Sequence, residues 1–308
     1  MKSKFIIGID LGATNIKIGL VDSNNRIISR KRLSTKSLPK RNQLLKKVNE
    51  IISNVLQDNR LQRKDIVGIG VGLPGPVDFR KGLVHFLPNI PGWENFPIRR
   101  RFSSVTKLPV FVDNDVNLIS LAEQRLGAGK KSHNMICMTL GTGVGGAVII
   151  EENLYRGSSF AAGEIGHIPI TENGPICNCG GRGCLESFVG NKNILKKAKA
   201  QLKNHKITLE KLTLLARAGN VKAINLWREV GQHVGIALVG VINLLNPDKV
   251  VIGGGVSQAG EILFDEIRKT VRLRAMPTQA RAVKIVKAKL GDDAGILGAA
   301  ILVKENML

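Results

Sequence analysis

The chain reads the same way twice. FIIGIDLGATNIKIGLV at residues 5–21 and NMICMTLGTGVGGAVII at residues 134–150 are each a β-branched strand, a short glycine turn and a returning strand. A hairpin start is not the strand–glycine turn–helix unit of a dinucleotide fold. Met twice, with helices and single strands following each time, it points to two related α/β lobes with a cleft between them.

The remaining elements fit that plan. Strands are expected at about 4–10, 15–22 and 26–34, followed by a helix whose apolar face is Leu44, Leu45, Val48, Ile51, Ile52 and Val55. A buried strand at 66–75 leads into the proline-rich loop FLPNIPGWENFPI, and a strand at 108–113 runs into a helix at 116–129 that glycines close. In the second half, a long helix over 220–245 ends at NPD. Strand 249–256, a helix near 257–275, strand 282–290 and a terminal helix from 292 follow. The expected division is a lobe of residues 1–115 joined by the C-terminal helix 292–308, and a lobe of residues 116–291.

With 308 residues and 43% hydrophobic composition the chain can bury two cores. It has no run of eighteen apolar residues and no signal-peptide core, so a soluble cytoplasmic protein with no membrane partner is expected. The net charge of +22 is concentrated in places: residues 26–64 hold twelve Lys and Arg against two acids. There is one tyrosine, little aromatic interleaving, no zinc-finger helix and no helix-turn-helix ahead of the first strand. The basic residues therefore read as a solvated surface that assists capture of an anionic nucleotide, with no nucleic-acid partner.

Three glycine turns follow strands: GIDLGAT, LGTGVGG and VIGGGVS. Backbone N–H groups in such turns approach phosphate closely. Gly12, Thr14, Lys17, Gly141, Thr142, Gly143 and Gly254 are the candidate nucleotide contacts, and Asp10 is a carboxylate that can hold Mg²⁺ through water beside phosphate oxygens. At VFVDNDVN, Asp113, Asn114 and Asp115 stand where a strand becomes a helix. They suit helix caps, and one carboxylate there also suits a general base toward a hydroxyl acceptor. Strand alternation favours Asp115 over Asp113 for that base.

Three of the four cysteines lie in HIPITENGPICNCGGRGCLE. His167, Cys177, Cys179 and Cys184 have the spacing H-x9-C-x-C-x4-C, with glycines that permit tight turns. Four such ligands make a closed, structural tetrahedral zinc site and leave no position for hydrolytic chemistry.

The glycine turns, together with GDDAGILGAA, resemble the motifs of the actin-like ATPase superfamily, whose fold is two ribonuclease-H-like lobes with the active site in the interlobe cleft. GEIGH followed by CNCGGRGCLE, with LPGPVD, LPNIPGW and VDNDVN, resembles the ROK family of repressors and kinases over essentially the whole chain, and its bacterial glucokinases in particular. That resemblance implies ATP-dependent transfer to the 6-hydroxyl of glucose or a related hexose, Asp115 as base, and a homodimer. It puts the sugar contacts on Gly75, Asn89, Asn114, Asp115, Glu164, His167 and Glu186, and the zinc ligands on His167, Cys177, Cys179 and Cys184. The family's repressors carry a DNA-binding segment ahead of the first phosphate loop; nine residues precede Asp10 here, so a sugar-sensing regulator is the second expectation.

Overall fold

Both hairpins form in a computed structural model that describes residues 4–12, 15–34, 41–87 and 92–307. The chain divides into two compact units, one of Met1–Leu126, Arg156–Ala162 and Asp292–Leu308, the other of Gly127–Tyr155 and Gly163–Gly291.

The first unit is built on a sheet of β1 (Phe5–Leu11), β2 (Asn15–Val21), β3 (Ile27–Ser34), β4 (Ile66–Leu73) and, after the two-residue pair β5 (Val77–Asp78) and β6 (Leu83–Val84), β7 (Val110–Asn114). Its order is β3-β2-β1-β4-β7. The hairpin strands pair antiparallel, and β1, β4 and β7 run parallel. Helix α1 (Arg41–Asp58) buries Leu44, Leu45, Val48, Ile52 and Val55, as its apolar stripe requires. Helices α2 (Ile98–Thr106) and α3 (Asp115–Leu126) flank β7.

The C-terminal helix (Ala294–Met307) is buried along Ala294–Val303, so it is apolar all round. Its seat explains three glycines. Gly19, Gly8 and Gly70 lie side by side on neighbouring strands. A Cβ at Gly8 would lie 2.3 Å from the Ile296 carbonyl oxygen, and one at Gly70 would lie 1.9 Å from that of Ala299. Helix backbone thus rests directly on sheet backbone.

The second unit repeats the arrangement with β8 (Met135–Leu140), β9 (Val144–Ile150), β10 (Asn153–Tyr155), β11 (Lys249–Gly253) and β12 (Lys284–Lys287), in the order β10-β9-β8-β11-β12. Again the hairpin is antiparallel and the later strands parallel. Helices α4 (Glu186–Val189), α5 (Asn191–Leu202), α6 (Leu209–Arg217), α7 (Val221–Leu245), α8 (Glu261–Arg274) and α9 (Pro277–Ala282) accompany it. Trp227 of α7 is fully buried in this core, and Cys137 of β8 is buried as well.

Several boundaries differ from the sequence expectation. The helix expected from 257 starts at Glu261, because Gly254 and Gly260 at φ of +85° and +77° bracket a separate 3₁₀ turn. The expected strand 282–290 pairs only over Lys284–Lys287, since the preceding residues form α9 behind Pro277. The short α2 and the β5–β6 pair were not expected. Among the described residues no helix is long and apolar enough to cross a membrane.

Candidate active site

In the first unit, β1 ends at Asp10 and Leu11, and β2 returns with Lys17 directly opposite Asp10. The Lys17 ammonium lies 3.6 Å from Asp10 Oδ2 and 3.4 Å from Asp292 Oδ1. Asp10 also lies against the start of the C-terminal helix: a Cβ on Gly295 would be 2.6 Å from its carboxyl carbon. Burial pushes the Asp10 pKa above the ordinary carboxylate value, and the charge of Lys17 opposes that rise. A cation at this half-buried carboxylate would compete with the Lys17 ammonium. Gly12 closes the hairpin by donating its N–H to Asn15 O at 2.9 Å. Thr14 lies outside the described residues.

At the same end of this sheet, in register with Asp10 through Gly72 of β4, the DND triplet separates into three roles. Asp113 is buried, and its Oδ1 accepts from the Asn114 N–H and from Asn117 Nδ2 at 2.8 Å each. Its Oδ2 accepts from Arg156 Nε at 2.7 Å. Asn114 caps α3, its Oδ1 accepting from the N–H groups of Val116 and Asn117 at 2.9 and 3.2 Å. Its Nδ2 donates to the Gly75 carbonyl at 3.1 Å, which brings those two predicted sugar contacts together. Asp115, half-buried, is the first residue of α3, and its Oδ1 accepts from the Val116 N–H at 2.9 Å. Asn89 lies outside the described residues.

Sequence reasoning missed Arg156. Its guanidinium stacks 4.2 Å from the Phe79 ring centroid, and Phe79 packs edge-on against Phe160. A lone arginine after a strand gives no local signal of a partner 43 residues away.

In the second unit, the turn between β8 and β9 is held by its own bond, Gly141 N–H to Gly143 O at 2.9 Å, and by the Asn191 N–H donating to Gly141 O at 2.9 Å. Gly254 approaches the same turn: a Cβ there would lie 2.3 Å from Leu140 O. The structure therefore gathers Gly141, Thr142, Gly143 and Gly254, and it adds Glu186, whose Oε2 accepts from the Val144 N–H at 2.8 Å.

The cysteine segment folds into a knuckle. Cys177 N–H donates to Gly181 O, and Gly180 N–H returns to Cys177 O, at 2.7 and 3.0 Å. One ligand atom from each of His167, Cys177, Cys179 and Cys184 lies within 4.8 Å of all the others. Cys177 Sγ is 3.6 Å from His167 Nδ1, and Cys179 Sγ is 3.8 Å from Cys184 Sγ. Bonds of about 2.3 Å to sulfur and about 2.0 Å to nitrogen give tetrahedral edges of about 3.8 and about 3.6 Å, so the four groups fit a zinc-sized ion. Without metal, burial leads the causes that push the Cys184 thiol up to about 12, whereas a hydrogen bond from Gly181 N–H lowers Cys179. The other imidazole nitrogen, Nε2, lies 3.8 Å from the exposed Glu164 carboxylate.

Two sheets of one strand order, each opened by an antiparallel hairpin and continued by parallel strands, define the actin-like ATPase fold. Within it the chain belongs to the ROK family, whose model matches residues 6–306. It is similar to the glucokinase of Halalkalibacterium halodurans, with 34% identity over 320 residues, 99% of this chain and 97% of that protein. It is also similar to the solved structure of a ROK family glucokinase from Streptomyces griseus in complex with glucose and AMPPNP, with TM-score 0.84 and 31% identity over 98% of this chain and 99% of that one. The xylose repressor of Caldicellulosiruptor bescii is 31% identical over 315 residues, 98% of this chain and 79% of the repressor.

Proposed function

We propose that this protein is an ATP-dependent hexose kinase that phosphorylates the 6-hydroxyl of glucose, with Asp115 as general base. The observation that carries the reading is the division of labour in the DND triplet. Asp113 is buried against Arg156 and Asn117, and Asn114 caps α3, so of the two carboxylates Asp115 is the more solvent-accessible, half-buried at the start of α3 with Oδ1 on the Val116 N–H.

In the proposed reaction, the sugar 6-oxygen attacks the γ-phosphorus of ATP as the bond from that phosphorus to the bridging oxygen of ADP breaks. The hydroxyl proton passes to the Asp115 carboxylate and then to solvent. Products are the sugar 6-phosphate, ADP and a proton. A sugar hydroxyl is a weak nucleophile, so orienting it in line and removing its proton is what the protein contributes. Gly75, Asn89, Asn114, Glu164, His167 and Glu186 are the proposed sugar contacts, carboxylates and amides being suited to bind several hydroxyls at once. The turns at Gly12–Thr14, Gly141–Gly143 and Gly254 would receive the phosphates and nucleoside. Asp10 would hold Mg²⁺, which when bound neutralises charge on the phosphoryl oxygens.

His167, Cys177, Cys179 and Cys184 are proposed to hold a structural Zn²⁺. The ion would fix the His167 ring through Nδ1, as the 3.6 Å edge to Cys177 supports, and leave Nε2 for a sugar hydroxyl.

Similarity to a xylose repressor over 98% of this chain favours one alternative, a sugar-sensing regulator. Transfer of phosphate from ATP across a panel of hexoses and N-acetylhexosamines separates the two. A preferred sugar with turnover abolished by Asp115→Ala supports the kinase. Sugar binding without transfer to any acceptor would overturn it in favour of the regulator.

A further inference from the structure

The glycines of LGTGVGG read most simply as a phosphate cradle. At Gly143 the structure adds another cause. A Cβ there would lie 2.5 Å from Glu186 Oε2 but 4.0 Å from Oε1, so one oxygen of this carboxylate sits against the turn and the other points farther from it. Oε2 accepts the Val144 N–H at 2.8 Å. The main chain around Glu186 reinforces the contact: Asn191 N–H donates to Gly141 O at 2.9 Å, and a Cβ on Gly190 would meet Thr142 O at 3.2 Å. The β8–β9 turn is thus supported from α4 and the start of α5.

We propose that Glu186 is a positioning residue for this turn as well as a sugar contact, and that sugar and nucleotide affinities are coupled through its carboxylate. The coupling rests on the kinase reading above. A carboxylate set against a turn that receives phosphates opposes their negative charge. Sugar hydroxyls donating to Glu186 disperse that charge and hold the side chain in the position that supports Val144. Sugar therefore strengthens nucleotide binding, and by linkage nucleotide strengthens sugar binding by the same factor.

Calorimetric titration of AMPPNP with and without saturating glucose, or whichever hexose the panel selects, measures that factor. In the unmodified protein the nucleotide Kd is expected to fall about fivefold or more when sugar is bound, within the usual range of such couplings. Glu186→Gln keeps an acceptor for Val144 without the charge. Without sugar it should bind AMPPNP about as tightly as the unmodified protein does with sugar, and saturating sugar should add nothing further. Glu186→Ala removes both charge and support and should bind AMPPNP about tenfold more weakly than Glu186→Gln, while Gly143→Ala disturbs the support with the carboxylate still present and should bind it about tenfold more weakly than the unmodified protein. Metal content and Tm, followed in every variant, identify a general loss of fold. Sugar-independent nucleotide binding in the unmodified protein, or persisting coupling in Glu186→Gln, overturns the proposal. So does equal AMPPNP affinity in folded Glu186→Ala and Glu186→Gln proteins. Failure of the unmodified protein to bind either AMPPNP or any sugar would instead remove the kinase reading and the coupling with it. The turn contact is then judged by hydrogen exchange at the Val144 amide, which is expected to quicken in Glu186→Ala and would refute the contact if it did not.

Discussion

Arg156 and Asp113, 43 residues apart, form an ion pair of a half-buried guanidinium with a buried carboxylate, in which Nε and Nη2 both lie 2.7 Å from one carboxylate oxygen. The other oxygen orders Asn114 and Asn117 at the start of α3. Removing the cation leaves a buried carboxylate with only its Asn114 and Asn117 hydrogen bonds, which costs about 3 kcal/mol, the low end for a broken buried pair because the arginine side is partly solvated. Arg156→Ala should lower the unfolding free energy by about that much, measured by denaturant titration. Adding Asp113→Asn should recover part of it, because the stranded charge is gone. A loss under about 0.5 kcal/mol in the single variant would show that the pair is not what holds this corner.

For Asp115 the expectation concerns rate. Asp115→Asn preserves size and a hydrogen-bonding group but cannot take a proton. Turnover should drop by about 10²–10⁴, the usual contribution of a general base, while the sugar Kd moves only a few-fold. Steady-state kinetics and sugar titration check both halves. Comparable losses in kcat and in sugar affinity would make Asp115 a binding residue instead.

The parts of this molecule that sequence made legible are those written in local pattern. Period-two alternation around a glycine turn sufficed for both hairpins, and the stripe from Leu44 to Val55 sufficed for α1. The His167–Cys184 spacing likewise identified four groups that the fold gathers within 4.8 Å. What escaped depends on pairing between distant segments. That Gly19, Gly8 and Gly70 align into one row follows from strand register, which no single strand encodes. Gly143 invited a phosphate explanation, since nothing near it in sequence announces Glu186. Arg156 is absent from the sequence reading because its partner, Asp113, stands 43 residues away.

Of the three cysteines in the knuckle Cys177 and Cys184 are buried and Cys179 is exposed, on a turn held by the Cys177–Gly181 and Gly180–Cys177 main-chain bonds, and a tetrahedral site needs all four donors. Cys179→Ser should therefore release the metal, lower Tm and weaken sugar binding together, because His167 loses its fixed orientation. Elemental analysis of the purified protein should find about one zinc per chain in the unmodified protein and much less in the variant. Full sugar affinity in metal-free protein would dissociate the knuckle from the sugar contacts.

His233 supplies the pH dependence. Its ring on α7 packs against Phe188 of α4 at a centroid distance of 4.7 Å. Burial lowers its pKa, Glu229 pulls it back up, and Lys197 lowers it further. The folded chain thus holds this proton less tightly than the unfolded chain does. The sign follows: the stability His233 contributes is fully present above its unfolded value, about 6.5, and is lost as pH falls through the lower folded value. His233→Phe keeps an aromatic ring against Phe188 and cannot be protonated. Thermal melts from about pH 7.5 down to about pH 5 should show a shallower decline in Tm for the variant than for the unmodified protein, with the curves diverging only below the unfolded value. Parallel curves over that range would mean that the imidazole takes up its proton without opposition from the fold, and that acid sensitivity arises elsewhere.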